Sequence, residues 1–160
     1  MSNDAMSIHP DEGREAVQVY QIFIKATPQA IWDAITRPEF TAQYFYGSRV
    51  ETTAEVGTPF RYRAPDGETL WGDETVFESD PPHRLVVGWR SLYDEEAASE
   101  PASRITWEIE PQDGGFCLLT ATHDHLEQSP ITARNVAGAG WMMVLSGLKS
   151  VLETGSGLAA

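Results

Sequence analysis

Cysteine is nearly absent: Cys117 stands alone among 160 residues. One thiol forms no internal disulfide, and no Cys₂ or Cys₄ metal site can be assembled. Basic residues are scarce too, with 11 Lys+Arg against 24 Asp+Glu and a net charge of −13. Such a chain repels phosphate backbones and anionic lipid surfaces, which argues against nucleic acid or membranes as partners. No apolar run approaches the roughly 18 residues that a bilayer span needs. The opening Met1-Ser2-Asn3-Asp4 lacks the basic and apolar regions of a secretory signal. The expected compartment is therefore the cytoplasm. Internal repeats and interdomain linkers are also missing.

What is present is ordinary folding material. Apolar residues at 41% and charged residues at 22% exclude global disorder. The length fits one domain at about 150 residues each. The expected division is a flexible tail over 1–16, a domain over 17–155 and a second tail over 156–160.

Val17–Lys25 is rich in β-branched and aromatic residues and reads as a strand. Thr27-Pro28 is a helix cap followed by proline at the first helical position. Ile31, Trp32 and Ile35 then take helical spacing, and Pro38 closes that helix and opens another ending near Gly47. From residue 48 the period becomes two. Six strands are predicted, over Ser48–Thr53, Thr58–Ala64, Thr69–Ser79, His83–Leu92, Ser103–Pro111 and Gly115–His125. Short turn-forming separators such as Ala64-Pro65-Asp66-Gly67 favour antiparallel hairpins. The longest separator, Tyr93–Ala102, holds four acids and is expected to be a mobile loop. Ser129-Pro130 starts the final helix. Trp141, Val144, Leu145, Leu148, Val151 and Leu152 form its apolar stripe, and Gly155 ends it. The predicted fold class is α+β, a seven-stranded antiparallel curved sheet wrapped around one long C-terminal helix.

Four segments carry a family resemblance. They are Ala26–Ala34, Asp80–Leu85, Leu119–His123 and Gly140-Trp141 at the start of the last helix. In that order they resemble the START and birch-pollen-allergen-like helix-grip superfamily, SRPBCC. Within it they are most similar to the group named for the C-terminal domain of the activator of heat-shock protein ninety ATPase. The resemblance implies an apolar cavity between sheet and helix. Its members include ligand carriers, polyketide cyclases and aromatases. The name-giving activator also carries a separate N-terminal domain without counterpart in these residues. Fold alone does not select among these functions.

Strand parity gives the candidate lining. Leu85, Val87 and Trp89 share one face, as do Ile105, Trp107 and Ile109, and Phe60 with Tyr62. All are expected to look toward Trp141, Val144 and Leu148. The candidate ligand-binding set comprises Phe45, Phe60, Tyr62, Trp71 and Trp89, with Trp107, His123, Trp141, Val144 and Leu148. Burying one tryptophan removes on the order of 200 Å² from water, so a filled core is the competing reading, and for Trp32 the preferred one. A dry cavity of about 300 Å³ costs roughly 7 kcal/mol, so a large persistent cavity implies a ligand.

The polar candidates are few. His123 shares the inward face of Leu119 and Ala121, where it can orient a ligand, move a proton, or simply bond a carbonyl or hydroxyl. Tyr62 and Glu78 are its candidate acid/base partners, Glu78 because Val76 can bring it inward. His123-Asp124-His125 supplies two imidazoles but no third ligand, so no metal is expected. Cys117 lies about 20 Å along the strand from His123 and cannot act with it. Gly138-Ala139-Gly140 lacks the third glycine of a dinucleotide fingerprint, and no cofactor is expected. The acids of residues 66–80 read as a solvated lip that biases the protein against anionic ligands.

Three functions remain open. The first is binding a small, mostly apolar ligand, aromatic or lipid-like, in the cavity. The second is a cyclase, aromatase or hydrolase using the same cavity, which requires titratable groups to converge. The third is a chaperone-interaction module, which requires a filled core and an exposed patch. The oligomeric state, a homodimer included, is also open.

Overall fold

A computed structural model describes residues 17–137 and 139–158. The expected tail over 1–16 lies outside the described residues. The chain begins with strand β1 (Gln18–Ile24), followed by helices α1 (Pro28–Thr36) and α2 (Pro38–Tyr44). Strands β2 (Arg49–Thr52), β3 (Pro59–Arg63), β4 (Leu70–Asp80) and β5 (Arg84–Trp89) follow. A short helix α3 (Glu95–Ala98) precedes β6 (Ser103–Gln112) and β7 (Phe116–Asp124). Helices α4 (Pro130–Val136) and α5 (Ala139–Thr154) end the fold.

The sheet is antiparallel throughout, in the order β1-β7-β6-β5-β4-β3-β2. Strands β2 to β7 form a meander in which each strand pairs with the next in sequence. Strand β1 closes the far edge on β7, pairing Ile22 with Leu119 and Ile24 with Cys117. Local chemistry explains the helices before the meander. Thr27 Oγ1 accepts from the Ala30 amide at 3.1 Å and starts α1, and proline occupies the first turn of α1 and of α2. The concave face of the sheet receives α5. Trp141, Val144, Leu145, Leu148 and Val151 of the stripe are buried against it. Gly155, at φ +86°, ends α5 in the left-handed conformation that glycine tolerates best.

Two details differ from the sequence reading. Residues 93–102 are not a plain loop. Asp94 accepts from the Glu96 and Ala97 amides to cap α3, and Ala97 is fully buried. The C-terminal helix is also divided: Ala137 takes an extended backbone, ψ 163°, between α4 and α5. Ser129 does not cap α4 with its side chain; its hydroxyl instead donates to the Pro101 carbonyl at 2.7 Å. Glu100 caps instead. Its carboxylate accepts from the Ile131 and Thr132 amides at 2.9 and 2.8 Å, and from the Thr132 hydroxyl. Burial pushes the Glu100 carboxyl up, but these bonds outweigh it and its pKa is lowered. Two of the loop's four acids, Asp94 and Glu100, thus serve as helix caps. Among the described residues, no helix is long and apolar enough to cross a membrane.

Candidate functional site

The α2–β2 connection shapes one wall of a pocket. Tyr46 stands at φ +54°, a left-handed conformation that costs a non-glycine residue roughly 1–2 kcal/mol. Its hydroxyl donates to the Gly140 carbonyl at the start of α5, at 3.1 Å. Phe45, beside it, packs onto Tyr62 of β3, with ring centroids 4.8 Å apart. Tyr62 pairs with Gly72 of β4, and a Cβ on Gly72 would meet the tyrosine ring at 3.3 Å. The missing side chain makes room for that ring.

These elements enclose a pocket of about 410 Å³ between the sheet and the start of α5. Phe45, Tyr62, Trp89 and Trp141 form its inner aromatic cluster, with Val144. Trp71 and Tyr93 form a second pair, with centroids 6.1 Å apart. Tyr46 and Tyr93 are 57% and 55% exposed and mark the mouth. Ser48, Asn135, Val136 and Gly140 complete the lining. Sequence parity passed over Tyr46, Tyr93 and Asn135, because they stand in connections or on a short helix outside the strand alternation.

Six of the ten sequence-selected residues therefore meet at the pocket: Phe45, Tyr62, Trp71, Trp89, Trp141 and Val144. The other four lie in the packed core. Phe60, Trp107, His123 and Leu148 are each at most 2% exposed and do not line it. Trp107 leans on Trp141 at 5.4 Å, and Phe60 on Tyr62 at 5.4 Å.

His123 is engaged structurally. Its Nε2 lies 2.7 Å from Ser103 Oγ, which in turn lies 3.3 Å from the Trp89 carbonyl. Both contacts are satisfied together when Nε2–H donates to Ser103 and the serine proton goes to the carbonyl. His123 Nδ1 is then a bare acceptor without a partner among the described residues. Burial holds the imidazole down to about 3, against a weaker upward pull from Asp124, so it is neutral at physiological pH.

Glu78 does not reach the interior. The register shifts between Val76, opposite Val87, and Glu78, opposite Val86. This bulge turns Glu78 outward, where it is exposed and bonds Arg84 at 3.2 Å. Two further acids of β4 are ion-paired, Asp73 with Arg61 at 2.9 Å and Glu74 with Arg90 at 2.8 Å. His125, at φ +59°, leaves the strand alternation and is exposed, so it does not share the inward side of His123. Cys117 is buried, its thiol pushed up by desolvation and donating to the Ala26 carbonyl. Burial also raises the Tyr62 phenol far above its ordinary range. The pocket lining holds no carboxylate, imidazole, ammonium or guanidinium among the described residues. It can therefore exclude water and orient hydroxyl or π contacts, but it offers no group that titrates near neutrality.

Solved structures share this architecture. An Hsp90 activator from Plasmodium falciparum is 18% identical with a TM-score of 0.66, covering 86% of this chain and 96% of that one. The Aha1 dimer from Colwellia psychrerythraea is 20% identical with a TM-score of 0.64, covering 88% and 98%. DynU16, a protein of the dynemicin biosynthetic locus, is 20% identical with a TM-score of 0.68, covering 89% of this chain and 49% of that one. At these identities the likeness is one of fold. No curated protein matches the chain. The family model for Activator of Hsp90 ATPase homolog 1-like protein matches residues 25–153, and the chain belongs to that family.

Proposed function

We propose that the protein binds a small, mostly apolar ligand in the pocket between the sheet and α5. The observation that carries this reading is the lining. Aromatic rings dominate a space of about 410 Å³, with tyrosine hydroxyls, Ser48 and Asn135 as its sparse polar side chains. Drug-sized and cofactor-sized ligands occupy concave, mostly apolar sites of roughly 300–1,000 Å³ with a few polar groups. A binding role fits better than acid–base catalysis, because Glu78 is on the outer face and His123 is held by Ser103.

The test is titration with N-phenylnaphthylamine, a neutral aromatic dye whose emission rises in apolar surroundings. Saturable binding is expected, and Val144→Phe, which fills the pocket, weakens it about tenfold or more. Circular dichroism confirms that the variant folds. Absence of saturable binding, or equal binding by a folded Val144→Phe, rejects the reading.

Family membership favours a second reading, in which the domain contacts an Hsp90-type chaperone. Stimulation of a purified Hsp90 ATPase by the full chain supports it, and no stimulation at saturating chain rejects it.

A further inference from the structure

The charge of the pocket narrows the ligand further, resting on the binding reading above. Seven of the twelve lining residues are aromatic, and none is charged among the described residues. An anionic headgroup entering here would leave water without meeting a cation, a costly transfer. Two guanidinium groups beside lining residues in sequence, those of Arg90 and Arg134, already have carboxylate neighbours. Arg90 is bound to Glu74 at 2.8 Å, and Arg134 acts on Glu100. Neither lines the pocket.

The mouth bears the opposite sign. Asp94 follows Tyr93, and its Oδ2 accepts from Asn135 Nδ2 at 3.0 Å, both neighbours being lining residues. The Asn135 bond, with amide bonds from α3, lowers the carboxyl pKa, so it is charged at neutral pH. Glu95 and Glu96 stand next in sequence, in a chain of net charge −13. The field at the mouth therefore draws cations and repels anions. Aromatic rings attract a cation through their quadrupoles, most strongly tryptophan, without any carboxylate inside.

We propose that the pocket selects a cationic amine, an apolar body carrying a protonated or quaternary nitrogen. Its nitrogen settles among Trp71, Trp89, Trp141 and the tyrosines, and the mouth carboxylates raise its local concentration.

The experiment displaces bound N-phenylnaphthylamine from the full chain at neutral pH and low salt. The three competitors have similar apolar bodies: phenylbutyl trimethylammonium, phenylbutanol and phenylbutyrate. The ammonium is expected to displace the dye at a concentration at least about tenfold below the carboxylate, with the alcohol between them. Asp94→Asn keeps an oxygen acceptor for the α3 amides and should shrink that preference about threefold. A carboxylate that competes as well as the ammonium overturns the charge selectivity while leaving the pocket reading intact. A preference unchanged in Asp94→Asn overturns the role given to the mouth. Failure of the dye to bind at all overturns the pocket reading, and this inference with it.

Discussion

The two ends of the cleft between sheet and α5 use similar residues to opposite effect. At the deep end, Trp107, Ile109, Leu119 and Leu148 are at most 2% exposed and fill the space. At the mouth, Trp71, Tyr46 and Tyr93 border a pocket of about 410 Å³. Val144 lines that pocket, and Leu148, one turn further along α5, does not. Backbone devices separate the two ends. The left-handed Tyr46 aims its hydroxyl at Gly140, the bare Gly72 admits the Tyr62 ring, and α4 is set apart from α5 at Ala137. The Glu100 cap and the Asp94–Asn135 bond fasten α4 to the β5–β6 connection. An aromatic residue thus becomes core or lining according to the backbone that holds it.

The largest effect should come from breaking the deep end. Trp107→Ala removes a fully buried ring and leaves a cavity, at a cost of about 3–5 kcal/mol in unfolding free energy. Urea denaturation measures it. A loss below about 1 kcal/mol would mean that the deep end is as open as the mouth.

A smaller effect follows from His123. Burial depresses its folded pKa to about 3, whereas the unfolded imidazole titrates near 6.5. Between those values the unfolded chain binds a proton that the folded chain refuses, so stability falls as the pH falls. Integrated from about pH 7 to pH 5, the loss is about 2 kcal/mol. The lowered carboxyls of Asp66, Asp94, Glu100 and Asp124 act at lower pH, in the same direction. Unfolding free energies across this range should slope in the native chain and flatten in His123→Gln. Equal slopes would assign the loss to other groups.

The fold was legible in the sequence because its signals are local and repeated. Thr27-Pro28 marks a helix start, and the two-residue period after residue 48 and the α5 stripe each express burial on one face. The site was legible only where that parity held. Tyr62, Trp89, Trp141 and Val144 follow from alternation or helical spacing and do line the pocket. Trp107 and Leu148 follow from the same rules yet lie deeper, since periodicity gives the side of an element and not the depth beneath it. The parity of Glu78, open in the sequence, is decided by a bulge that turns it outward, and a bulge leaves no mark in composition. Tyr46 and Tyr93 were missed because their positions depend on a left-handed residue and a non-strand connection. The acids of residues 94–100 looked like solvent-facing charge, although Asp94 caps the adjacent α3 and Glu100 holds the amides of α4 across sequence distance.

The smallest change in stability should accompany a clear change in binding. Tyr93 is 55% exposed and meets Trp71 ring to ring at 6.1 Å. Its removal creates no buried cavity, so Tyr93→Ala should alter the unfolding free energy by no more than about 0.5–1 kcal/mol. The same change strips one ring from the pocket mouth and should weaken N-phenylnaphthylamine binding about three- to tenfold. Trp107→Ala separates the readouts the other way, with a large loss of stability and no lining residue removed. If Tyr93→Ala instead unfolds the chain, or leaves dye binding unchanged, the mouth is a continuation of the core and the division of the cleft fails. Should both variants behave as stated, one aromatic class performs two physical tasks within a single cleft, and exposure set by the backbone decides which.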